Sequence, residues 1–393
     1  MMRSDKIIVI GGDYHNALGI VRSFGREGIS PDVIVLGDIV DGYIEKSKYV
    51  GKVHRCKTHR DILNILNMYK QKGCKSVLIT ASDEIASLLD NNYDSLSPYF
   101  CFPNCGQQGQ LTHWLDKAIM CEQAKKIGLH VPSSFIYHKG EQIPKDIEFP
   151  CITKAISSIE GHKSDTIVCK NLGELEQFIT TNNNLCGTIQ IEKFIEKEFE
   201  FQLFGLSLNG GEEIIIPGHS HIYRPGIQNE YYFQYLENDN SFCSTIEKAK
   251  AFIMSVSYSG TFSVEFIRGK DGVDYFLEMN FRNDGNAICV TDAGYNLPYI
   301  WYLYNTGGDY RDELVNSKFK SVNFCPDLIY FWHMIAGELT FREWWKTRQT
   351  SNSFTTYDKE DKMPYYYNII NSIPNIICGI GVKLLKSKKR AIK

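Results

Sequence analysis

Apolar runs that stop at glycine set the rhythm of the N-terminal part of the chain. "KIIVIGG" (6–12) is a continuous apolar run ending in two glycines, the pattern of a strand buried on both faces. "NALGIVRSFGREG" (16–28) has helical spacing and a glycine stop. "DVIVLG" (32–37) predicts a second buried strand, and "HRDILNILNMYKQKG" (59–73) an amphipathic helix. "SVLITASDEIASLLD" (76–90) predicts a strand followed by a capped helix. Strand and helix alternate, which predicts a doubly wound parallel α/β domain of about a hundred residues.

The pattern then changes. "LTHWLDKAIMCEQAKKIG" (111–128) reads as one helix, followed by Pro132. "FPCITKAISSIEGHKS" (149–164) reads as a strand carrying Lys154 and then a polar loop with Ser157, Ser158 and Gly161. "GTIQIEKFIEKEFEFQLFGLSLNG" (187–210) gives a strand, a short connection and a second strand. "GTFSVEFIRGKDGVDYFLEMNFR" (260–282) reads as a β-hairpin turning on Asp271-Gly272. Residues 306–393 are rich in Trp and Tyr, and neither an internal repeat nor a low-complexity linker is present. The expected organisation is a Rossmann-like domain over 1–110, an α+β domain over 111–305 and an extension over 306–393.

Composition narrows the class. The chain has 393 residues, 43% hydrophobic and 23% charged, as expected for a soluble globular protein of two or three domains. A net charge of -3 gives no reason to expect nucleic-acid binding. The 12 cysteines follow no regular framework, and "MMRSDKIIVIGG" lacks the apolar core of a signal peptide. Both point to a reducing cytoplasm and free thiols. Cys101 and Cys105 form a close pair, but no second pair follows at zinc-finger spacing. No apolar run reaches the ~18 residues of a membrane span.

The hairpin carries the chemistry. Glu278, Asn280 and Arg282 are spaced by two and share one face of a strand. A two-residue turn at Asp271-Gly272 pairs Lys270 with Val273 and places Glu265 opposite Glu278. Two carboxylates that close repel by about 3–4 kcal/mol at an effective dielectric near 20. Either one acid is protonated or a cation sits between them, and Mg²⁺ suits oxygen ligands that include a carboxylate or two. Asn280 would add a neutral oxygen, and Arg282 would hold a phosphate. The same residues also read as a solvated face with a Glu–Arg pair. Elsewhere, Gly11 and Gly12 lack the third glycine of a dinucleotide fingerprint. Asp83 and Glu84 read either as substrate contacts at the sheet edge or, with Ser82, as a helix N-terminus.

Across roughly residues 1–305 the sequence resembles the ATP-grasp superfamily. "FLEMNFR" is similar to that family's metal strand, and Glu265 in "SVEF" matches the metal glutamate of the preceding strand. "IEKFIEKEFEF" resembles the nucleotide hinge. There the resemblance implies that Glu192 takes the adenine amino group, that the backbone of Lys193 and Ile195 completes adenine recognition, and that Glu198 takes the ribose hydroxyls. Lys117 in "LDKAIM" and Lys154 in "CITKAISS" match the two phosphate lysines. The loop after Lys154 has few glycines, so Ser157 and Ser158 are expected to bind phosphate there. Arg224 in "HSHIYRPG" reads either as a further phosphate cation or as a turn residue before Pro225.

The resemblance implies an ATP-dependent carboxylate–amine ligase working through an acyl phosphate, with Mg²⁺ as cofactor and Mn²⁺ able to substitute. Metal would sit on Glu265, Glu278 and Asn280, and Arg282 would stabilise the transferring phosphoryl group. D-aspartate ligases and relatives found with surface-polysaccharide genes look similar. An Ala-Met-Lys-Met carrier motif, the mark of biotin-dependent carboxylases, is absent. Small carboxylate and amine substrates, an amino acid or sugar acid among them, are the expected partners, and homodimerisation stays open. The competing class is a non-catalytic ATP-binding regulator or scaffold, which would not need the full set of lysines and acids. "FREWWKTRQT" (341–350) and "YYYNIINSIPNIICGIGVKLLKSKKR" (365–390) suit either a packed terminal subdomain with a basic tail or contact with an anionic membrane and a lipid-linked glycan.

Overall fold

The computed structural model describes residues 6–38, 41–155, 166–181, 188–223, 233–237, 240–335, 337 and 339–371. The chain divides into two compact units. One is Met1–Met120 with Gln202–Val264 and Met279–Lys393; the other is Cys121–Phe201 with Glu265–Glu278.

In the first unit five parallel strands form a sheet: β1 (Ile7–Gly11), β2 (Asp32–Leu36), β3 (Val53–Cys56), β4 (Ser76–Thr80) and β5 (Phe100–Cys101), in the order β3-β2-β1-β4-β5. All five residues of β1 are buried, as a central parallel strand requires. The outer strands are short, β3 with two polar residues at its centre and β5 only two residues long, so the apolar pattern does not announce them. Gly11, the last residue of β1, has no room for a side chain, since a Cβ there would stand 2.8 Å from the Cβ of Ala81. The helix His15–Arg26 is almost wholly buried. Its Leu18, Val21 and Phe24 share one core with Phe204, Leu297, Ile300 and Trp301.

The second unit is built on β6 (Ser134–His138), β7 (Cys151–Ala155), β8 (Val168–Cys169) and β9 (Thr188–Lys193), antiparallel and in the order β6-β9-β7-β8. Its core joins Tyr137, Cys151, Leu175, Ile189 and Ile191. A seven-stranded sheet, with most of its strands in the first unit, comprises β10 (Lys197–Leu208), β11 (Glu213–Tyr223), β12 (Phe233–Glu237), β13 (Gly260–Gly269), β14 (Asp274–Asn280), β15 (Val322–Cys325) and β16 (Ser353–Phe354). Its order is β14-β13-β10-β11-β12-β15-β16. The ten described cysteines are free thiols.

Two expectations are corrected. The helix expected over 111–128 is two helices, Gln110–Trp114 and Lys117–Ile127. Asp116 restarts it by accepting the N–H groups of Ala118 (2.9 Å) and Ile119 (3.1 Å). The hairpin turn is also one residue longer than expected. The N–H of Gly269 donates to Val273 O and that of Gly272 to Gly269 O, both at 2.9 Å, and Gly272 takes φ +78°. This is a three-residue loop with glycine in the left-handed position. The physical reason is that the N–H of Lys270 donates to Glu196 O at 2.8 Å and cannot close a two-residue turn.

Counted from the Gly269/Val273 pair, Arg268 faces Asp274, and their side chains form a two-pronged ion pair. Glu265 then faces Leu277 instead of Glu278, so the direct carboxylate opposition is not imposed by the turn. Farther along, Phe266 meets Phe276 and Ser263 meets Asn280. These contacts are three residues apart on β13 and four on β14.

Candidate functional site

In the second unit Lys154 and Glu192 lie on adjacent strands, with Ile152 paired to Glu192 and Lys154 to Gln190. The Lys154 Nζ donates to Glu192 Oε1 at 2.6 Å, and Gln190 Nε2 reaches the other oxygen at 3.4 Å. The two residues assigned to phosphate and adenine thus hold each other across one sheet face. The hinge that follows is pinned by its backbone. The N–H of Lys193 donates to Ser133 O and that of Phe194 to Pro150 O, each at 2.8 Å. The Lys193 ammonium turns to Glu148 at 2.7 Å, so its side chain is engaged away from the hinge. Ile195 is half-buried in the connection, and Glu198 is exposed at the start of β10. Glu265 and Glu278 are half-buried on β13 and β14.

In the first unit Lys117 is exposed at the first position of its helix. A cation there opposes the helix dipole by a few tenths of a kcal/mol, so helix stability does not explain it. Arg282 is the centre of a larger network. Its Nε lies 3.2 Å from Asp83 Oδ1 and its NH1 3.7 Å from Asp284 Oδ2. Its NH2 donates to Asn280 Oδ1 at 3.1 Å. Asn280 in turn donates to Ser263 Oγ at 3.0 Å, and Ser263 Oγ donates to Asp284 at 3.2 Å. The capping reading of residues 82–84 is realised. Ser82 caps the helix Asp83–Asp90, Asp83 faces Arg282, and Glu84 meets His59 at 2.6 Å.

The segment after Arg282 is tied to the ends of β1 and β4. Asn16 Nδ2 donates to Asn283 O (2.6 Å) and Ala81 O (2.8 Å), and Asn283 Nδ2 donates back to Asn16 Oδ1 (3.0 Å). A crevice at the carboxyl ends of the strands, where the direction of winding changes, is where open α/β sheets place ligands. Asn286 Oδ1, three residues on from Asn283, is buried with no hydrogen-bond partner among the described residues. Sequence reasoning missed His15, Asn16, Asn283 and Asp284. The available signal was the polar runs "DYHN" (13–16) and "NDGN" (283–286), each directly after a strand.

Burial pushes the His15 imidazole below its ordinary pKa, and the carboxylates of Asp284 and Asp327 oppose this only in part. A depressed folded pKa means the neutral ring is the folded form. Its contribution is full above the unfolded value of about 6.5 and is lost as pH falls through the folded value. Thermal melts from pH 7.5 to 5 should therefore show the wild type losing stability on acidification more steeply than His15→Gln. Parallel curves would remove His15 as the cause.

Magnesium needs hard oxygen donors. By donor type alone, the two carboxylates of Glu265 and Glu278 and the amide oxygen of Asn280 are of that kind. Among the described residues no group of three or more His, Cys, Asp or Glu is gathered for a metal. Ser157, Ser158 and Arg224 lie outside the described residues, as does the tail from 372 onward.

No protein-family model matches the chain, and no curated protein sequence matches it. Solved structures do. An L-amino acid ligase from Bacillus licheniformis superposes with a TM-score of 0.60 at 13% identity, over 81% of this chain and 79% of that one. N5-carboxyaminoimidazole synthetase from Staphylococcus aureus gives 0.60 at 18%, over 78% and 79%. A biotin carboxylase from Campylobacter jejuni, solved with a β,γ-ATP ligand, gives 0.58 at 16%, over 77% and 71%. The fold is that of the ATP-grasp ligases: a mixed α/β chain with one parallel sheet and antiparallel sheets.

Proposed function

We propose that this protein is an ATP-dependent ligase that joins a carboxylate to an amine, releasing ADP and phosphate. The observation that carries the reading is Arg282, held by Asp83, Asn280 and Asp284 beside the carboxyl ends of β1 and β4 in an ATP-grasp fold. A ligase needs a fixed cation where phosphoryl and acyl charge develops.

In this reading Glu192, the Lys193 carbonyl and the Ile195 N–H recognise adenine, and Glu198 takes the ribose. The pinned hinge backbone supports that role, since pre-ordered groups lose little freedom on binding. Lys154 exchanges part of its bond to Glu192 for a phosphate oxygen, and Lys117 neutralises another. Ser157, Ser158 and Arg224 complete the phosphate contacts. Magnesium, or manganese in its place, would be held by Glu265, Glu278 and Asn280 and would offset phosphate charge. The substrate carboxylate oxygen attacks the γ-phosphorus, the bond to ADP breaks, and an acyl phosphate results. The amine nitrogen then attacks the acyl carbon and phosphate leaves. Arg282 stabilises charge in both steps.

Purified protein with Mg-ATP, hydroxylamine and pools of amino acids and sugar acids tests this. A pool that yields ADP and hydroxamate together identifies the carboxylate. ADP release without hydroxamate in every pool would overturn the carboxylate reading. Glu198→Ala should raise KM for ATP about tenfold with little change in kcat, because the ribose contact is made equally in ground and transition states. An unchanged KM in steady-state assays would reject the hinge assignment.

A further inference from the structure

Two thiols in the core of the second unit stand face to face. Cys151 on β7 is paired in register with Cys169 on β8, and the two are 0% and 1% exposed. Directly opposed residues put their side chains on the same face of a sheet, and both belong to the core with Tyr137, Leu175 and Ile189. The Thr153 N–H donates to Ile167 O at 2.9 Å, and the Ile167 N–H donates to Thr153 Oγ1 at 3.2 Å. Two residues along, Cys151 and Cys169 form the same kind of hydrogen-bonded pair, whose Cα atoms lie about 5.5 Å apart. That is within the roughly 4.4–6.8 Å that a disulfide bridges. The thiols are in hydrogen-bond contact, and burial together with the Cys169 thiol pushes the Cys151 thiol up to about 11. Among the described strands no other two cysteines are opposed: Cys56 is paired with Leu36, Cys101 with Val77 and Cys325 with Phe354.

We propose that Cys151 and Cys169 are a redox-responsive modification site, closed reversibly into a disulfide that staples β8 to β7. Two S–H bonds break and one S–S bond forms. The two protons and two electrons pass to a peroxide, leaving water, or to a small-molecule disulfide, leaving two thiols. Burial keeps both groups protonated and shielded at rest, so access comes through β8. That strand is two residues long, lies at the edge of its sheet and leaves Val168 39% exposed, so few bonds hold it. Once one sulfur is oxidised, the thiol that attacks it is already in contact. In a reducing compartment such a bond is transient, which is the behaviour of a sensor. The cross-link closes the stretch 152–168, in which Lys154, Ser157 and Ser158 lie. The chemistry of the pair does not rest on the ligase reading; its effect on ATP does. In that reading the closed stretch restrains Lys154 on Glu192 and weakens ATP binding.

The full-length protein, oxidised with hydrogen peroxide or glutathione disulfide, capped with N-ethylmaleimide and digested without reductant, tests the proposal. Mass spectrometry should find the Cys151 and Cys169 peptides joined with the loss of two hydrogens, and dithiothreitol should release them. The yield should fall about fivefold or more when the protein is oxidised in urea, because unfolding separates the opposed strands. The cross-linked protein should melt roughly 5 °C higher, since the bond closes a loop of the unfolded chain. Oxidation should weaken ATP binding about threefold or more in a direct titration, and Cys169→Ala, treated alike, should show no such change. No cross-link under oxidation that already modifies the exposed Cys243, or an equal yield in urea, would overturn the proposal. A cross-link that leaves ATP affinity unchanged would overturn its regulatory effect. Absence of ATP binding by the reduced protein would count against the ligase reading instead.

Discussion

Replacing Glu278 by Gln is expected to abolish ADP formation while leaving the melting temperature unchanged. The substitution is isosteric, and Glu278 is half-buried on a strand whose neighbours Phe276 and Met279 carry the packing. What is lost is one of the two carboxylates that the proposed reading gives to the metal. A hard divalent cation bound through one or two carboxylates depends on each of them. Losing one such preorganised electrostatic group lowers turnover by about 10²–10³-fold. The check is steady-state ADP release with whichever substrate pool proves active, run beside a thermal melt and a magnesium titration. Turnover at the wild-type level would sink the metal assignment. A collapse of the melting temperature would instead assign Glu278 to the architecture of the hairpin.

The largest stability loss is expected from Asp361→Asn. Arg22 and Asp361 form an ion pair 3.0 Å long, each side chain only 1% exposed. Arg22 also donates to the Asp361 backbone carbonyl at 2.8 Å. The Asp361 carboxylate further accepts the Ser47 hydroxyl (2.7 Å) and the Lys48 N–H (3.0 Å). Removing its charge leaves the Arg22 guanidinium buried and uncompensated, a loss of about 3–5 kcal/mol. Denaturant unfolding of the wild type and the variant measures it. Adding Arg22→Met to Asp361→Asn should recover much of the loss, since no buried charge then lacks a partner. A loss below about 1 kcal/mol would mean that water or another acid reaches Arg22. The pair also bears on the 306–393 extension: through Asp361, and through Asp358 on Arg26, its described part is held to the first helix of the chain.

Arg22 shows why sequence reading stops where it does. Within "NALGIVRSFGREG" it reads as a polar position on an amphipathic helix, yet it is among the largest fully buried side chains. Its partner lies 339 residues away, and no local pattern announces it. Lys154 and Glu192 were each legible as chemistry from their motifs, but their mutual bond depends on the register of β7 against β9. The turn failed for the same reason. Asp271-Gly272 carries a strong local preference, and a tertiary bond from Lys270 to Glu196 overrode it.

The sequence by itself determined the parallel β-α-β beginning, the core strand β1, the helix start at Ser82, and the order of the lysines and acids along the chain. These follow from periodicity, capping and glycine punctuation, which act over a few residues. Only the tertiary structure decided which charges meet. Arg282 comes to Asp83, Asn16 to Asn283, and Arg22 to Asp361 because burying the apolar faces of distant segments brings their polar neighbours together. Once there, a buried charge or amide must find a partner, whichever segment supplies it.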